Sequence, residues 1–273
     1  MATTRKKTTK KTSKPKQARS AASIKTFPSA VKSLLERPNF ERLRPGRIDS
    51  ASFKLARMEA ILKELGNPHR DINTVHVAGT IGKGSTVAMM QAVLSGCGWT
   101  TGTYTSPHLM DIRERIAING ENISQADFAK LAKTVSAAAD KVAPDATFFE
   151  IITSMSFVHF AETAADVAII ETGLGGRLDA TNVLKPSVCL ITKIDLDHQY
   201  LLGNTIEEIA REKAGIFKPG VPALSVKQEP EVEAVLREVA EEVGCELRFI
   251  GKEIEFSSRF CVTDEIGAHM RIC

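Results

Sequence analysis

The stretch HVAGTIGKGST, residues 76–86, decides the fold. It follows a short apolar run and contains glycines that let the backbone turn sharply and bring N–H groups near an anion: Gly79, Gly82 and Gly84. Lys83 adds a positive charge, and Ser85 adds a hydroxyl that can bind a magnesium ion. The stretch therefore predicts a loop that binds phosphate.

The loop departs from the usual nucleotide-binding pattern, GxxxxGK followed directly by Ser or Thr, because Gly84 separates Lys83 from Ser85. Its surroundings nevertheless favour phosphate binding over a glycine-rich surface turn. TVHVAG (74–79) predicts a strand before the loop, and residues 85–95 predict a helix after it. Strand, glycine loop and helix in this order are the context that a phosphate loop requires.

Strands and helices alternate along the rest of the chain. After leading helices that begin near residue 28, short apolar and β-branched runs predict strands at 101–106, 166–171, 187–192, 222–226 and 245–251. We expect the last of these to be the final strand. Amphipathic segments predict helices at 124–142, 148–164, 205–217 and 229–244. This alternation predicts an α/β fold with a mostly parallel sheet flanked by helices.

Residues that can bind ligands follow four of the predicted strands. Parallel sheets bind ligands beyond the carboxyl ends of their strands. At those ends the sequence has GTIGKGS, SPHL, Glu171 followed by TGLGGRLDATN, and KIDLDH. We therefore expect glycines, carboxylates, lysine and histidine to meet at one edge of the sheet.

Single residues in these segments also have simpler explanations. Glu171 directly follows four apolar residues, where an unpaired carboxylate is costly, so we interpret it as a magnesium ligand and not a surface acid. His198 is equally consistent with a structural or solvated role. Asp195 and Asp197 fit a helix cap as well as catalysis, and Lys213 would by itself be a solvated lysine of an amphipathic helix.

The composition is that of a soluble globular protein, with 43% hydrophobic and 25% charged residues in 273. No apolar run approaches the ~18 residues of a membrane span. The five cysteines are too far apart for a disulfide framework or a zinc site. We therefore expect a cytoplasmic, monomeric protein with reduced thiols that does not bind membranes.

The positive charge is concentrated at the amino end of the chain. Residues 1–20 contain eight basic and no acidic residues, which exceeds the net charge of +3, so the rest of the chain is acidic. We expect a disordered basic tail over residues 1–27 and no specific nucleic-acid site in the globular part. A solvated tail without a specific task fits this composition, and weak polyanion binding and a transit peptide are alternatives.

The phosphate loop and the carboxylates indicate a nucleoside triphosphate with magnesium, which leaves two classes of protein. TKID (192–195) resembles the base-reading element of GTPases, but the loop has the additional Gly84 and no Asp-x-x-Gly switch element follows a predicted strand. The other class is an ATP-dependent ligase, in which SPHL and GLGGRLDATN hold a second substrate.

Five segments occur in one order and spacing: HVAGTIGKGST, SPHL, ETGLGGRLDATN, DHQYLLG and EIAREKAGIFKPG. This set closely resembles the folylpolyglutamate synthase/dihydrofolate synthase family of the Mur ligase superfamily over about residues 28–273. The resemblance implies that the carboxylate of an acceptor attacks the γ-phosphorus of ATP to give an acyl phosphate. The amine of L-glutamate then displaces phosphate. The acceptors it implies are small molecules, dihydropteroate or reduced folates.

The resemblance also implies roles for single residues. The nucleotide phosphates would be bound by Gly79, Thr80, Gly82, Lys83, Gly84 and Ser85. Ser85 and Glu171 would bind a first magnesium ion, and His198 would lie at a second. Lys213 would carry a carbamate that helps to hold the second ion. The catalytic residues implied by the resemblance are Lys83, His198 and Lys213. A pterin pocket would be formed by Pro107, His108, Phe149, Asp179 and Ala180.

The sequence departs from the family pattern in two places. Ile81 stands where a polar residue is common in the loop. Members of the family continue into a second α/β domain that binds glutamate, whereas this sequence ends at HMRIC. We therefore expect residues 28–273 to form the ATP- and folate-binding domain without the C-terminal domain. GAH (267–269) does not supply that domain, because the sheet to which it would belong is missing. Such a chain would bind Mg-ATP but ligate glutamate poorly. A non-catalytic nucleotide- and pterin-binding domain and another Mur-type amino-acid ligase are the alternatives.

Overall fold

The structure, a computed structural model, describes residues 21–42, 54–255, 258–263 and 267–272. Within these ranges, no helix combines the length and the apolar character that crossing a bilayer requires.

The main sheet has eight strands in the order β4-β3-β2-β5-β1-β6-β7-β8. From β2 to β8 in this order all neighbours are parallel, while β3 and β4 add an antiparallel edge. The strands are β1 (Thr74–Ala78), β2 (Thr101–Tyr104), β3 (Ile116–Ile118), β4 (Glu121–Asn122), β5 (Val167–Glu171), β6 (Val188–Ile191), β7 (Ala223–Ser225) and β8 (Leu247–Phe249). The predicted α/β fold with a mostly parallel sheet is confirmed.

The described part of the chain contains eight α-helices, of which the first two precede β1: α1 (Phe27–Leu35), α2 (Leu55–Glu64), α3 (Lys83–Gly96), α4 (Gln125–Val142), α5 (Phe148–Glu162), α6 (Gln199–Leu202), α7 (Ile206–Ala214) and α8 (Pro230–Val243). Side-chain caps fix where several of them begin. Ser124, Thr147 and Thr205 accept backbone N–H groups from the first turns of α4, α5 and α7. A glycine in the left-handed region, Gly244 at φ +76°, ends α8.

Most helices pack on one face of the sheet. That face presents Tyr104 and Ile170 to the cluster that includes residues of α1, α2, α4 and α5. Farther along the same face, Cys189 and Ile191 pack in a second cluster with residues of α7 and α8. Because paired residues of parallel strands point to the same side, the register His76–Ile170 and His76–Cys189 places these two clusters on one face.

The opposite face is covered by α3. Val75, Val77 and Ile169 form a third cluster there with Val87 of α3. The outer side of α3 remains exposed: Met89 and Val93 expose 62% and 65% of their surface. The sheet therefore carries helices on both faces, but very unequally.

Two antiparallel elements were not expected. The β3–β4 hairpin consists of strands of three and two residues, too short for an alternating pattern to be recognised. A second hairpin, β9 (Ser258–Thr263) and β10 (Gly267–Ile272), forms a separate two-stranded sheet. The expectation that residues 245–251 form the last strand is therefore wrong. GAH (267–269) pairs with β9, because a partner strand adjacent in sequence is enough to form a hairpin.

The folded part of the chain also begins earlier than residue 28. Residues Ala21–Ser23 form a 3-10 turn, and Ile24 is 1% exposed in the same cluster as Phe128 of α4. The apolar side chain of Ile24 therefore ties the segment before α1 to the core. The predicted disordered tail is wrong for residues 21–27, and its first 20 residues lie outside the described ranges.

Gly102→Ala should destabilise the protein by about 1–3 kcal/mol, because a Cβ at this position would overpack the core. That atom would lie 2.7 Å from Cδ1 of Phe160, a buried ring of α5. Urea unfolding measures the loss. Gly96→Ala, whose Cβ would meet nothing within 4 Å, is the matched control and should cost no stability. Equal effects of the two substitutions would contradict the packing of α5 on β2.

Candidate functional site

The backbone after β1 takes a course that only glycine permits. Gly79 has φ +146°, and a Cβ there would lie 1.9 Å from Oγ1 of Thr192, at the end of β6. Gly82 adopts φ +89° immediately before α3. The glycines predicted from the sequence therefore allow two things, the close approach of β1 to β6 and the turn into the helix.

The segment after β6 holds this loop through its backbone. The N–H groups of Thr80 and Ile81 donate to the carbonyl of Lys193 at 2.9 and 3.1 Å. The Thr80 hydroxyl donates to the Asp195 carbonyl at 3.0 Å and accepts the Asp195 N–H at 3.1 Å. TKID (192–195) thus supports the loop in this structure. Ile81 contributes its backbone while its side chain is exposed, so an apolar residue fits there.

The start of α3 forms a positive site. The unpaired N–H groups of a helix N-terminus attract anions, and Lys83 is the first residue of α3. Its Nζ donates to the carbonyl of Thr80 at 3.4 Å and lies 3.9 Å from Oε1 of Glu171. The lysine is therefore anchored within the loop, next to a carboxylate.

Glu171 ends β5 and points toward α3. It is 4% exposed, and its Oε2 accepts the N–H of Ser106 at 3.3 Å. A Cβ on Gly84 would be 3.7 Å from the same oxygen, which places the carboxylate beside the first turn of α3. Burial raises the pKa of Glu171, while the Lys83 cation and the Ser106 N–H oppose that shift. A cation beside Glu171 would favour the charged carboxylate.

The residues present fit a magnesium ion that arrives with a phosphate group. Mg²⁺ is typically held by one or two carboxylates together with phosphate oxygens and water. Glu171 offers one carboxylate, and Ser85 lies one residue beyond Gly84 in the first turn of α3. The described residues contain no group of three or more His, Cys, Asp or Glu side chains that would hold a metal unaided. These side chains therefore suit a magnesium ion that takes its remaining ligands from phosphate oxygens and water.

His198 lies in the loop after β6. Its backbone is left-handed at φ +47°, and its half-exposed ring has Nε2 3.6 Å from Oδ2 of Asp197. It lines the cleft described below. Its place at a second magnesium ion stays a prediction.

Lys213 is buried beneath the loop. It lies on the inner side of α7, is 3% exposed, and donates from Nζ to the carbonyl of Gly79 at 2.7 Å. Burial, aided by the nearby Lys83 cation, lowers its pKa to about 8, while Asp197 and Asp179 act against the shift. The alternative that Lys213 is a solvated helix lysine is therefore wrong.

A cleft of about 290 Å³ opens at the same edge of the sheet. Its walls are mostly apolar and include four residues of the predicted pterin pocket, namely Pro107, Phe149, Asp179 and Ala180. The fifth, His108, is not among the lining residues, and instead its Nδ1 accepts the Nε–H of Arg115 at 2.8 Å. Charged side chains occur at Glu41, Lys54, Arg57 and Glu150.

Asp179 organises the loop that follows β5. Its Oδ2 accepts the N–H groups of Gly173 and Leu174, both at 2.9 Å. Its Oδ1 accepts the N–H of Thr181 at 3.0 Å and also the Thr181 hydroxyl. Burial raises the pKa of this carboxyl, and these hydrogen bonds oppose the shift. The carboxylate therefore fixes one wall of the cleft from within.

Asn182 ties the same loop to the end of α7. Its Nδ2 donates to the carbonyls of Arg177 and Gly215 at 2.9 and 3.0 Å. Its Oδ1 accepts a hydrogen bond from Nζ of Lys218 at 2.8 Å. The DATN segment (179–182) is thus hydrogen-bonded both to its own loop at Arg177 and to the residues that follow α7.

Two buried polar residues of the site were missed in the sequence. Arg115 donates to both carboxylate oxygens of Glu41, at 2.8 and 2.7 Å, as well as to His108. Nothing in RERI separates this buried arginine from a surface one. His76 has Nε2 2.8 Å from Oγ1 of Thr181. The sequence does indicate a special role for His76, since a histidine inside the apolar strand TVHVA is unusual.

Comparison with known families identifies residues 77–262 as a Mur ligase middle domain. The chain is 46% identical over 192 residues to the dihydrofolate synthase/folylpolyglutamate synthase of Bacillus subtilis. That match covers 68% of this chain and 45% of the relative.

Two solved structures have the same fold. E. coli FolC in complex with DHPP and ADP is 35% identical, with a TM-score of 0.73, and the match covers 90% of this chain and 55% of that one. Mycobacterium tuberculosis folylpolyglutamate synthase, complexed with ADP and AMPPCP, is 31% identical with a TM-score of 0.76, and the match covers 92% and 55%. The chain spans about half the length of the relatives it matches.

The buried Lys213 should make stability depend on pH. Its pKa of about 8 lies below the ordinary 10.5, so between these values the unfolded chain binds more protons and stability rises with pH. The rise is at most about 3 kcal/mol. Urea unfolding at pH 7.5 and pH 10 in bicarbonate-free buffer should show this contribution in the native chain and not in Lys213→Met. Exposed Lys185 provides the control Lys185→Met. If Lys213→Met has the same pH dependence as the native chain, the lowered pKa is wrong.

Proposed function

The chain belongs to the Mur ligase middle-domain family, and from this premise we propose that it is the ATP- and folate-binding part of a ligase that adds L-glutamate to dihydropteroate or reduced folates. One observation carries the proposal: a phosphate loop and an apolar cleft open at the same sheet edge, with Glu171 and Ser106 between them. The similarity to the B. subtilis synthase supports the choice of substrates.

The nucleotide phosphates would occupy the loop and the start of α3. Backbone N–H groups over Gly82–Ser85 and the charge of Lys83 would stabilise them without covalent chemistry, as phosphoryl transfer requires. Glu171 and Ser85 would hold a magnesium ion, which when bound neutralises phosphate charge. The relatives from E. coli and M. tuberculosis hold ADP or an ATP analogue.

The acceptor would occupy the cleft. Phe149 and Pro107 offer apolar surface to a flat heteroaromatic ring, while Asp179 and Ala180 lie at the wall that the DATN segment forms. The acceptor's carboxylate would then face the loop, where its oxygen attacks the γ-phosphorus and ADP leaves. The amine of L-glutamate would displace phosphate from the acyl phosphate.

Lys213 would be carboxylated. Its amine reacts with carbon dioxide only when neutral, and a pKa of about 8 leaves roughly a tenth of the side chains neutral at pH 7. The N–C bond forms as one amine proton leaves to solvent. The product would be an anion, which would end the repulsion between Lys213 and Lys83. Its oxygens and His198 would be the groups to hold a second magnesium ion.

Lys83→Ala should weaken Mg-ATP binding by at least about a hundred-fold, the size of losing a charge-assisted hydrogen bond of ~3 kcal/mol. The fold should persist, because the two polar contacts of Lys83 Nζ among the described residues are long, at 3.4 and 3.9 Å. Titration calorimetry measures the affinity, with exposed Lys185→Ala as the control. Unchanged ATP affinity in folded Lys83→Ala would refute the phosphate-loop assignment.

The proposed reaction is tested by trapping its intermediate. The chain is incubated with ATP, magnesium, dihydropteroate and hydroxylamine, whose nitrogen replaces the glutamate amine and converts an acyl phosphate into a hydroxamate. We expect ADP and hydroxamate to form together and only with the acceptor present. ATP binding without either product would instead identify a non-catalytic nucleotide- and pterin-binding domain. Hydroxamate from other carboxylates but not from dihydropteroate or tetrahydrofolate would indicate another amino-acid ligase.

A further inference from the structure

A fully buried histidine lies in the central strand of the sheet. His76 is the third residue of β1, flanked on its face by Ile170 of β5 and Cys189 of β6, its register partners. An imidazole at this place requires an explanation, because an apolar side chain would satisfy the same packing without any polar atom to bury.

The hydrogen bond that the His76 side chain makes among the described residues leads to the cleft. His76 Nε2 is 2.8 Å from Oγ1 of Thr181, and the Thr181 hydroxyl donates to Oδ1 of Asp179. Asp179 in turn lines the cleft. A chain of three side chains therefore connects the strand beneath the phosphate loop with the wall of the cleft. We call it the His76–Thr181–Asp179 relay.

The direction of each hydrogen bond follows from counting protons. The Thr181 hydroxyl has one proton, and it goes to the carboxylate, which when ionised only accepts. Toward His76 the same oxygen must therefore accept, so Nε2 carries the imidazole proton. Nδ1 is then the bare nitrogen, and in the described part of the chain it has no hydrogen-bond partner.

The imidazole is neutral. Burial, helped by the nearby Lys218 cation, lowers its pKa to about 3. A neutral ring with its proton on Nε2 is a fixed donor toward Thr181. Among the described residues Nδ1 has no partner, and burying an unpaired nitrogen costs stability, which favours a role for His76 other than stabilising the strand.

We infer that His76 is a positioning residue for the acceptor cleft: its Nε2–H fixes the Thr181 hydroxyl as a donor to Asp179 and thereby orients the carboxylate at the cleft wall. The Asp179 oxygens already accept four hydrogen bonds from their own loop. A small rotation of the carboxylate would therefore change the direction in which it can accept a further hydrogen bond from a ligand. The inference rests on the proposed function in one respect, that the ligand at this wall is a pterin-like ring with amino and ring N–H donors.

Three variants test the relay by calorimetry with dihydropteroate and, separately, with Mg-ATP. His76→Leu removes the donor and should weaken dihydropteroate binding about ten-fold, the size of one hydrogen bond that the ligand loses at a misoriented Asp179 carboxylate, with ATP affinity within two-fold. His76→Gln keeps an N–H donor and should restore most of the affinity. Thr181→Val should weaken dihydropteroate binding as much as His76→Leu does. The double variant should bind dihydropteroate no more weakly than either single variant.

Several results would overturn the inference. One is unchanged dihydropteroate affinity in His76→Leu, and another is an equal loss of both ligands, which a purely structural role would give. A failure of His76→Gln to rescue binding, or additive effects in the double variant, would do the same.

A melting temperature of His76→Leu near that of the native chain is also expected, because the substitution removes the unpaired Nδ1.

Nuclear magnetic resonance of the ligand-free chain labelled with ¹⁵N-histidine separates the relay from the proposed function. We expect the Nε2–H tautomer for His76 at neutral pH, assigned by its loss in His76→Gln. The Nδ1–H tautomer would overturn the relay even if dihydropteroate binds. If the native chain binds no dihydropteroate, the proposed substrate and the acceptor part of the inference both fail, whatever the tautomer.

Discussion

The close contact of Gly79 with Thr192 is the constraint on which the site depends. With a side chain at residue 79, β1 and the end of β6 could not approach, and the carbonyl of Lys193 could not take the N–H groups of Thr80 and Ile81. The same approach leaves the Gly79 carbonyl free to accept from Lys213. One missing Cβ thus sets the course of the phosphate loop and the position of the lysine beneath it.

The Lys83 cation affects the pKa of both Lys213 and Glu171. Lys83 lies close enough to Lys213 to help lower the pKa of that lysine, while Glu171 is the carboxylate in contact with Lys83. Lys213 responds with a pKa lowered to about 8, and Glu171 with a raised one. The negative charge of bound phosphate would raise the pKa of Lys213, and the positive charge of magnesium would lower the pKa of Glu171. The free site therefore holds groups whose ionisation changes readily, as sites built for charged ligands do.

The sequence predicted the parts of the molecule that repeat a local pattern. The strand, the loop at Gly79 and the helix after it follow from residue types, and so does the convergence of Glu171 with Lys83. What could not be predicted depends on contacts between distant segments. Whether Lys213 is buried depends on β1 reaching α7, and the partner of Arg115, Glu41, lies in another part of the chain. Neither contact leaves a trace in the neighbouring sequence.

The strand order has a consequence for biosynthesis. β1 is completed by β5 and β6, as in the pairs Thr74–Ala168 and Val75–Val188, which are far apart in the chain. Contacts at such separation form slowly, because a long loop must close first. While the ribosome is still making β6, α3, in which Lys83 is the one charged residue, has already been made without the completed sheet to pack against. The nascent chain thus passes through a stage at which the apolar residues of α3 are exposed, and such exposure favours aggregation.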